Sequence, residues 1–246
     1  PCRMISVSLE GAADYAGRVL SEAEGRISAR ESGSGESMDF RVPLPGRHVI
    51  QNALLAVAAA RGHGVSWEQI AAALGRYQPP PMRWNQVQVA GVTVINDAYN
   101  ANPLSMRAAL RTFAETPAEG RRWVVLAGMR ELGPVEREEH LALGRAAAAG
   151  PWAGLVAVGE LGRWIAEGAS EQGASDVSVI HCENCGHAAD FLAGRLQPGD
   201  AVLLKASRGE QLENVLKGME HRIGAMEAGA GRLVNEKGGC DAGRKN

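Results

Sequence analysis

Two polar segments of this chain carry the side chains best suited to binding a ligand. The first, NDAYNANP over residues 96–103, places three amides, a carboxylate and a phenol close together. The second, KASRGE over residues 205–210, begins with an ammonium, a hydroxyl and a guanidinium, which suit a carboxylate or a phosphate. Each Asn or Asp could instead cap a helix or form a turn, and KASR could be a solvated loop.

Lys205 attracts attention because lysine is rare here. Only four of the 26 basic residues are Lys, and the other three lie in the last thirty positions. The chain uses Arg wherever a general positive charge suffices. A single Lys at this point therefore indicates a need for a compact ammonium.

The elements that position these segments alternate between strand and helix. Strand-like segments (87–97, 122–128, 154–159, 176–180 and 200–206) alternate with helical ones (103–113, 136–149, 161–172, 184–195 and 209–220). This alternation predicts an α/β domain, a parallel sheet with helices on both faces. Ligands of such folds bind beyond the carboxyl ends of the strands, which selects residues 96–103, 127–133, 159–163 and 205–210.

The first part of the chain has a different pattern. Residues 4–45 alternate like short strands, with the turn-rich ESGSGES predicting a hairpin. Residues 48–61 predict a buried helix, and residues 66–74 predict a helix that begins with a capping box of Ser66 and Gln69. Three consecutive prolines in YQPPPMRW then mark a linker.

Composition and charge exclude several classes of protein. The 246 residues are 45% hydrophobic and 22% charged, which is ordinary for a globular protein and excludes a disordered chain, a coiled coil or a fibre. A net charge of −2 without a basic stripe argues against nucleic acid as a partner. No apolar run reaches the roughly 18 residues of a membrane span, and no signal peptide pattern is present. We therefore expect a soluble, cytoplasmic protein without membrane insertion.

The cysteines and the start of the chain are less informative. The CENC motif at residues 182–185, flanked by His181 and His187, resembles half of a zinc or redox site. A single CxxC is a weak signal, so we predict no metal site. Because PCRMISVSL opens in a strand-like pattern, we expect the chain to be a piece of a longer protein.

Five strings of the sequence occur in the same order in the Mur ligase family, which the chain resembles over about residues 4–220. They are PGRHVIQNALLAVAA (45–59), PMRW (81–84), INDAYNANPLSMRAAL (95–110), LAGMRELG (126–133) and LLKASR (203–208). DAYNANPxSM is the most specific of them. The chain is most similar to the branch of the family that joins D-Ala-D-Ala to UDP-N-acetylmuramoyl-tripeptide.

The resemblance implies a domain organisation and a reaction. Residues 1–82 would be the C-terminal part of a P-loop-type central ATP-binding domain, residues 83–221 a Rossmann-like C-terminal domain, and residues 222–246 a flexible tail. The enzyme would be an ATP-dependent peptide ligase of peptidoglycan synthesis, and a monomer. ATP would phosphorylate a carboxylate, the dipeptide amine would attack the acyl phosphate, and ADP and phosphate would leave.

The resemblance also implies which residues bind and react. His48 and Asn52 would lie near the adenine, Arg83 would reach the phosphates, and Asp97 would hold the ribose. Tyr99 and Asn100 would line the nucleotide cleft. The dipeptide would bind a group of polar residues, Asn102, Glu131, Lys205, Ser207 and Arg208. The cations of Arg83 and Lys205 would act catalytically by neutralising developing negative charge.

Several departures from the family pattern leave more than one function open for this chain. Val49 replaces an Asn, Gly128 replaces an Asp, and Ala206 replaces a Gly. The chain also has no G-x-x-x-x-G-K-[ST] phosphate loop and lacks the upstream residues that hold Mg2+ in the family. We predict that this polypeptide alone is not a competent ligase. It is either part of a peptidoglycan ligase, with or without a separate N-terminal half, or a non-catalytic, degenerate ligand-binding domain; a folylpolyglutamate synthase fits DAYNANP poorly.

Overall fold

A computed structural model describes residues 4–171 and 177–222. Within these ranges the chain divides into two compact units. Residues 4–84 and 104–117 form the first, and residues 85–103, 118–171 and 177–222 form the second. The predicted flexible tail, apart from residue 222, lies outside the described residues, as do residue 172 of one predicted helix and residue 176 of one predicted strand.

The first unit contains a four-stranded sheet, two helices and most of a third. Its strands lie side by side in chain order: β1 (Val7–Ser8), β2 (Tyr15–Ser21), β3 (Arg26–Glu31) and β4 (Ser37–Arg41). The strands β2 to β4 are antiparallel, which confirms the predicted hairpin, and β1 is parallel to β2. Helix α1 (Arg47–Gly62) is followed by α2 (Trp67–Gly75), which begins with the predicted capping box of Ser66 and Gln69.

The second unit contains a six-stranded sheet. Its strands are β5 (Asn85–Val89), β6 (Val92–Asp97), β7 (Arg122–Leu126), β8 (Gly154–Val158), β9 (Ser178–Cys182) and β10 (Ala201–Lys205). They lie in the order β5-β6-β10-β7-β8-β9, and every neighbouring pair is parallel except β5 and β6.

The strand-like segment predicted over residues 87–97 is a hairpin of two strands. Val89 pairs with Val92, and the two residues between them, Ala90 and Gly91, have φ angles of 47° and 79°. Two left-handed residues make a type I′ turn, which joins antiparallel strands tightly. The hairpin places β5 at the antiparallel edge of an otherwise parallel sheet.

Helices cover both faces of this sheet. On one face, strand residues such as Val125 and Leu204 pack against α6 (Cys185–Ala193) and α7, which is helical over residues 213–222. On the other face lie α4 (Glu136–Ala148) and α5 (Gly159–Ser170). Their backbones approach closely, since a Cβ on Gly168 would lie 2.1 Å from the Leu141 carbonyl oxygen. The predicted Rossmann-like α/β fold is therefore confirmed.

The remaining helices differ in part from their predictions. Helix α3 (Pro103–Glu115) follows β6 as predicted, and most of it groups with the first unit. The predicted helix near residues 209–220 is interrupted: Arg208–Glu210 form one 3₁₀ turn, Gln211 is left-handed with φ 51°, and α7 begins only at residue 213. Within the described ranges, no helix is both long enough and apolar enough to cross a membrane.

Asp200 anchors the amino end of the sheet. Its carboxylate, 3% exposed, accepts hydrogen bonds from the Arg121 backbone N–H at 2.8 Å, the Arg121 guanidinium at 2.8 Å and the Gln197 backbone N–H at 3.0 Å. Burial alone would raise the pKa of Asp200, but the bonds from Arg121 and Gln197 outweigh it and lower the pKa. The ionised carboxylate thus stabilises the start of β10.

We expect Asp200→Ala to reduce the free energy of unfolding by about 2 kcal/mol, because two partly buried backbone N–H groups and the Arg121 guanidinium lose their acceptor. The effect depends on pH. Since the folded-state pKa lies below the unfolded value, the stabilisation is present above about pH 4 and disappears as the pH falls through the folded-state pKa. Urea denaturation of both proteins between pH 2 and 7 measures this. An unchanged difference in stability across that range would contradict the assignment.

Candidate functional site

The order of the strands brings three polar segments together at the carboxyl-terminal edge of the sheet in the second unit. Strand β10 lies between β6 and β7, and all three are parallel, so their carboxyl ends meet. The segments that leave these ends are residues 97–102, 127–136 and 205–211. The sequence-predicted residues Asp97, Tyr99, Asn100, Asn102, Glu131, Lys205, Ser207 and Arg208 all lie on them.

The side chain of Lys205 is buried at this edge. The residue is 3% exposed, and its ammonium Nζ lies 2.8 Å from Asp97 Oδ2. The same atom lies 3.1 Å from the Asn100 carbonyl oxygen and 3.4 Å from that of Asp97. The ammonium therefore has three acceptors within the protein and holds the segment after β6 against the end of β10. Its predicted catalytic role stays a prediction.

Ser207 joins two of the three segments. Its hydroxyl accepts a hydrogen bond from the Arg130 backbone N–H at 2.9 Å and donates one to the Ala101 carbonyl oxygen at 3.4 Å. Its own backbone N–H donates to the Gly128 carbonyl oxygen at 2.9 Å. The side chain is buried, so it acts through these segments rather than at the surface.

The amide-rich segment divides into turn-forming and exposed side chains. Asn96 Oδ1 accepts from the Ala98 N–H at 3.2 Å, and Asn100 Oδ1 accepts from the Ala101 N–H at 2.9 Å. The turn-forming interpretation is therefore correct for these two amides. The side chains of Tyr99, Asn100 and Asn102 are exposed at the edge, where a ligand can reach them.

His140, which sequence reasoning missed, holds the segment after β7 in place. The imidazole is fully buried, its Nε2 accepts from the Met129 N–H at 2.9 Å, and its Nδ1 lies 2.6 Å from the Glu136 carbonyl oxygen. Because Nε2 accepts, the proton is on Nδ1, which donates to Glu136. The ring also packs edge-on against Trp164. A His four residues after Glu136 on a helix gives no sequence signal for this contact.

A cavity of about 590 Å³ opens beside the segment after β7. It is lined by one cation, one apolar side chain and four carboxylates: Arg130, Leu161, Glu131, Glu136, Glu160 and Glu210. Glu131 has a left-handed backbone with φ 67°, which is uncommon for a residue with a side chain. Of the cavity's residues, only Glu131 was predicted from sequence as a ligand contact.

Arg208 and the CENC motif lie on the segments around β10 and β9. Arg208 is exposed and pairs with Glu213.

Cys185, in the CENC motif, is the first residue of α6, and its Sγ lies 3.7 Å from the Gln211 carbonyl oxygen. Burial raises the pKa of the Cys185 thiol, and the negative charges of Glu213 and Glu210 raise it further. Asn184 caps α6 by accepting from the His187 N–H. Among residues 4–171 and 177–222, no cluster of three or more His, Cys, Asp or Glu side chains could hold a metal ion.

The other predicted residues belong to the first unit. His48 and Asn52 lie four residues apart on the exposed side of α1, with Val49 partly buried between them. The helix begins after Gly46, whose φ of 106° suits a residue without a side chain. Arg83 is exposed in the turn before β5, between Met82 (φ 59°) and Trp84 (φ 52°). Two left-handed residues around one Arg give this turn a specific, strained backbone.

Comparison with known proteins identifies the fold and its relatives. Residues 82–208 match the family "Mur ligase, glutamate ligase domain". The chain is 32% identical over 197 residues to the UDP-N-acetylmuramoyl-tripeptide–D-alanyl-D-alanine ligase of Bacillus subtilis, covering 78% of this chain and 43% of that protein. It is 33% identical over 187 residues to the enzyme of that name from Escherichia coli, covering 75% of this chain and 39% of that protein.

Solved structures give a consistent result. The crystal structure of MurF from Acinetobacter baumannii superimposes with a TM-score of 0.76 and 30% identity, covering 88% of this chain and 46% of that one. MurF from Thermotoga maritima in complex with ADP superimposes with a TM-score of 0.73. At 22% identity, covering 90% of this chain and 49% of that one, it shows the fold alone. The chain thus spans less than half the length of these relatives.

Proposed function

Because this chain belongs to the Mur ligase family, we propose that it is part of an ATP-dependent ligase that joins D-Ala-D-Ala to UDP-N-acetylmuramoyl-tripeptide in peptidoglycan synthesis. The observation that carries the proposal is the edge formed by β6, β10 and β7. There Lys205 and Ser207 hold together the segments with the predicted nucleotide contacts and the predicted dipeptide contacts. The assignment of residues 1–82 and 83–221 to two ligase domains is part of this proposal.

The chain's own residues have distinct tasks in this reaction. Asp97, held by Lys205, presents a carboxylate that can accept hydrogen bonds from ribose hydroxyls. Exposed Tyr99, Asn100 and Asn102 orient polar ligands beside it. The exposed guanidinium of Arg208 suits the dipeptide carboxylate, and Glu131 faces the cavity where an amine can be held. These groups bind and orient the dipeptide so that its amine can attack the activated carboxyl.

The residues fit the two cofactors differently. Asp97, Tyr99 and Asn100 in the second unit suit a nucleotide, and ATP would supply the phosphoryl group that activates the carboxylate. The roles of His48, Asn52 and Arg83, which belong to the first unit, stay predictions. Mg2+ does not fit the described residues, because they contain no cluster of ligands for it. We therefore assign no step of this chain to Mg2+.

The test is a calorimetric titration of the chain with D-Ala-D-Ala. We expect binding, and we expect Arg208→Ala to weaken it roughly tenfold because a charge-assisted bond to the carboxylate is lost. Arg195→Ala is the matched control. Arg195 is also exposed, but it lies at the other end of the sheet, where its carbonyl accepts from Arg121. Binding by the control should equal that of the unaltered chain.

The same titration separates the proposal from its alternative. If a chain shown to be folded by circular dichroism binds no D-Ala-D-Ala, the dipeptide site is refuted and a degenerate domain is the better description. If Arg208→Ala and Arg195→Ala weaken binding equally, the dipeptide binds elsewhere.

A further inference from the structure

Glu210 occupies the space beside Gly128. A Cβ built on Gly128 would lie 3.0 Å from both Cδ and Oε1 of Glu210. It would also lie 2.6 Å from Cδ1 of Leu161, the end of a side chain that can rotate. A side chain at position 128 would therefore need both Leu161 and the Glu210 carboxylate, which comes from the segment after β10, to move aside.

Arg130 holds that carboxylate in place. Its Nε donates to Glu210 Oε1 at 2.7 Å, and the Glu210 side chain is only 10% exposed while that of Arg130 is 57% exposed. Gly209 leaves room for the contact, since a Cβ there would lie 2.8 Å from Arg130 Nε. A Cβ on Gly159, after β8, would lie 3.5 Å from Glu210 Oε2. The carboxylate therefore extends from the end of β10 across the end of β7 toward that of β8.

Position 128 is where the sequence departs from the family pattern by losing a carboxylate, and that loss favoured the degenerate alternative. The geometry changes this interpretation. We propose that Glu210, in the segment after β10, supplies the carboxylate that position 128 lacks in the segment after β7, and that it is a positioning residue that holds Arg130 at the cavity. Gly128 and Glu210 are then a compensating pair, each tolerated because of the other.

This inference rests on the proposed function, because the cavity wall that Arg130 and Glu210 form belongs to the proposed dipeptide site. Without Glu210, the Arg130 side chain loses the ion pair that holds it and can leave the cavity. The dipeptide would then meet a wall of different shape and charge.

The experiment exchanges the two positions. We compare Glu210→Ala, Gly128→Asp and the double variant Gly128→Asp/Glu210→Ala by scanning calorimetry and by titration with D-Ala-D-Ala. Each single variant should melt about 3 °C lower and bind the dipeptide roughly tenfold more weakly. The double variant should regain most of both, because the carboxylate introduced at position 128 can enter the space that Glu210 leaves.

The control keeps Gly128→Asp but changes a different carboxylate of the cavity. Glu160 is 87% exposed, so Gly128→Asp/Glu160→Ala should stay as impaired as Gly128→Asp alone. A double variant no better than the sum of its single changes would overturn the proposal, as would equal rescue by the control. If the exchange restores the melting temperature but no variant, nor the unaltered chain, binds dipeptide, the compensating pair stands and the proposed function fails.

Discussion

Lys205→Met should lower the free energy of unfolding of the second unit by about 3 kcal/mol and abolish dipeptide binding. Met has a similar volume, so the change removes the ammonium with little loss of packing. Asp97 is then left as a carboxylate, 19% exposed, without its cation, and the Asn100 carbonyl loses its donor. The segment over residues 97–102, which carries the exposed amides, loses its main attachment to β10.

Denaturation in urea and titration with D-Ala-D-Ala measure the two parts of this prediction. The double variant Asp97→Asn/Lys205→Met is the informative comparison, because it also removes the charge of the Asp97 carboxylate, which has lost its ammonium partner in Lys205→Met. We expect it to be more stable than Lys205→Met but still unable to bind dipeptide. If Lys205→Met binds dipeptide normally, Lys205 neither contacts the dipeptide nor positions its site.

His140→Leu should cost the protein about 3 kcal/mol of stability. Leu fills much of the space of the ring but leaves the buried Met129 N–H without its acceptor. His140→Gln should cost less, because an amide has both a donor and an acceptor. The segment after β7 should loosen in the first variant and stay ordered in the second.

Hydrogen exchange at the Met129 amide reports on that segment directly. Exchange should accelerate in His140→Leu and stay near the original rate in His140→Gln. His63→Leu is the matched control, because His63 is exposed at the end of α1 and should change stability by no more than about 0.5 kcal/mol. Slow exchange at Met129 in His140→Leu would show that the imidazole does not hold this segment.

Much of the fold follows from local patterns in the sequence. The alternation of strand and helix predicts the parallel sheet, and Ser66 with Gln69 predicts the capping box at its correct residue. The rule that ligands bind beyond strand ends selects segments 96–103 and 205–210, which the strand order then brings together. Each of these inferences depends on residues that are close in sequence.

The features that were missed depend on residues far apart in sequence or on a weak local signal. The turn at Ala90–Gly91 lacks the Asn-Gly pair that usually marks a type I′ hairpin, so β5 and β6 resemble one strand. Glu210 acquires its role only because Gly128, in the segment after a different strand, leaves room for it. The three acceptors around Lys205 include two backbone carbonyls, which no residue pattern reveals.

The hydroxyl of Ser207 has a consequence for how ligands affect one another. It bonds to Ala101 on one side and to the Arg130 N–H on the other, so the segments after β6 and β7 do not become ordered independently. When a ligand orders one segment, the other segment loses part of its conformational entropy as well. A ligand of the other segment then has less conformational entropy to remove when it binds. We therefore expect ligands of the two segments to bind cooperatively, each raising the affinity for the other by the same factor.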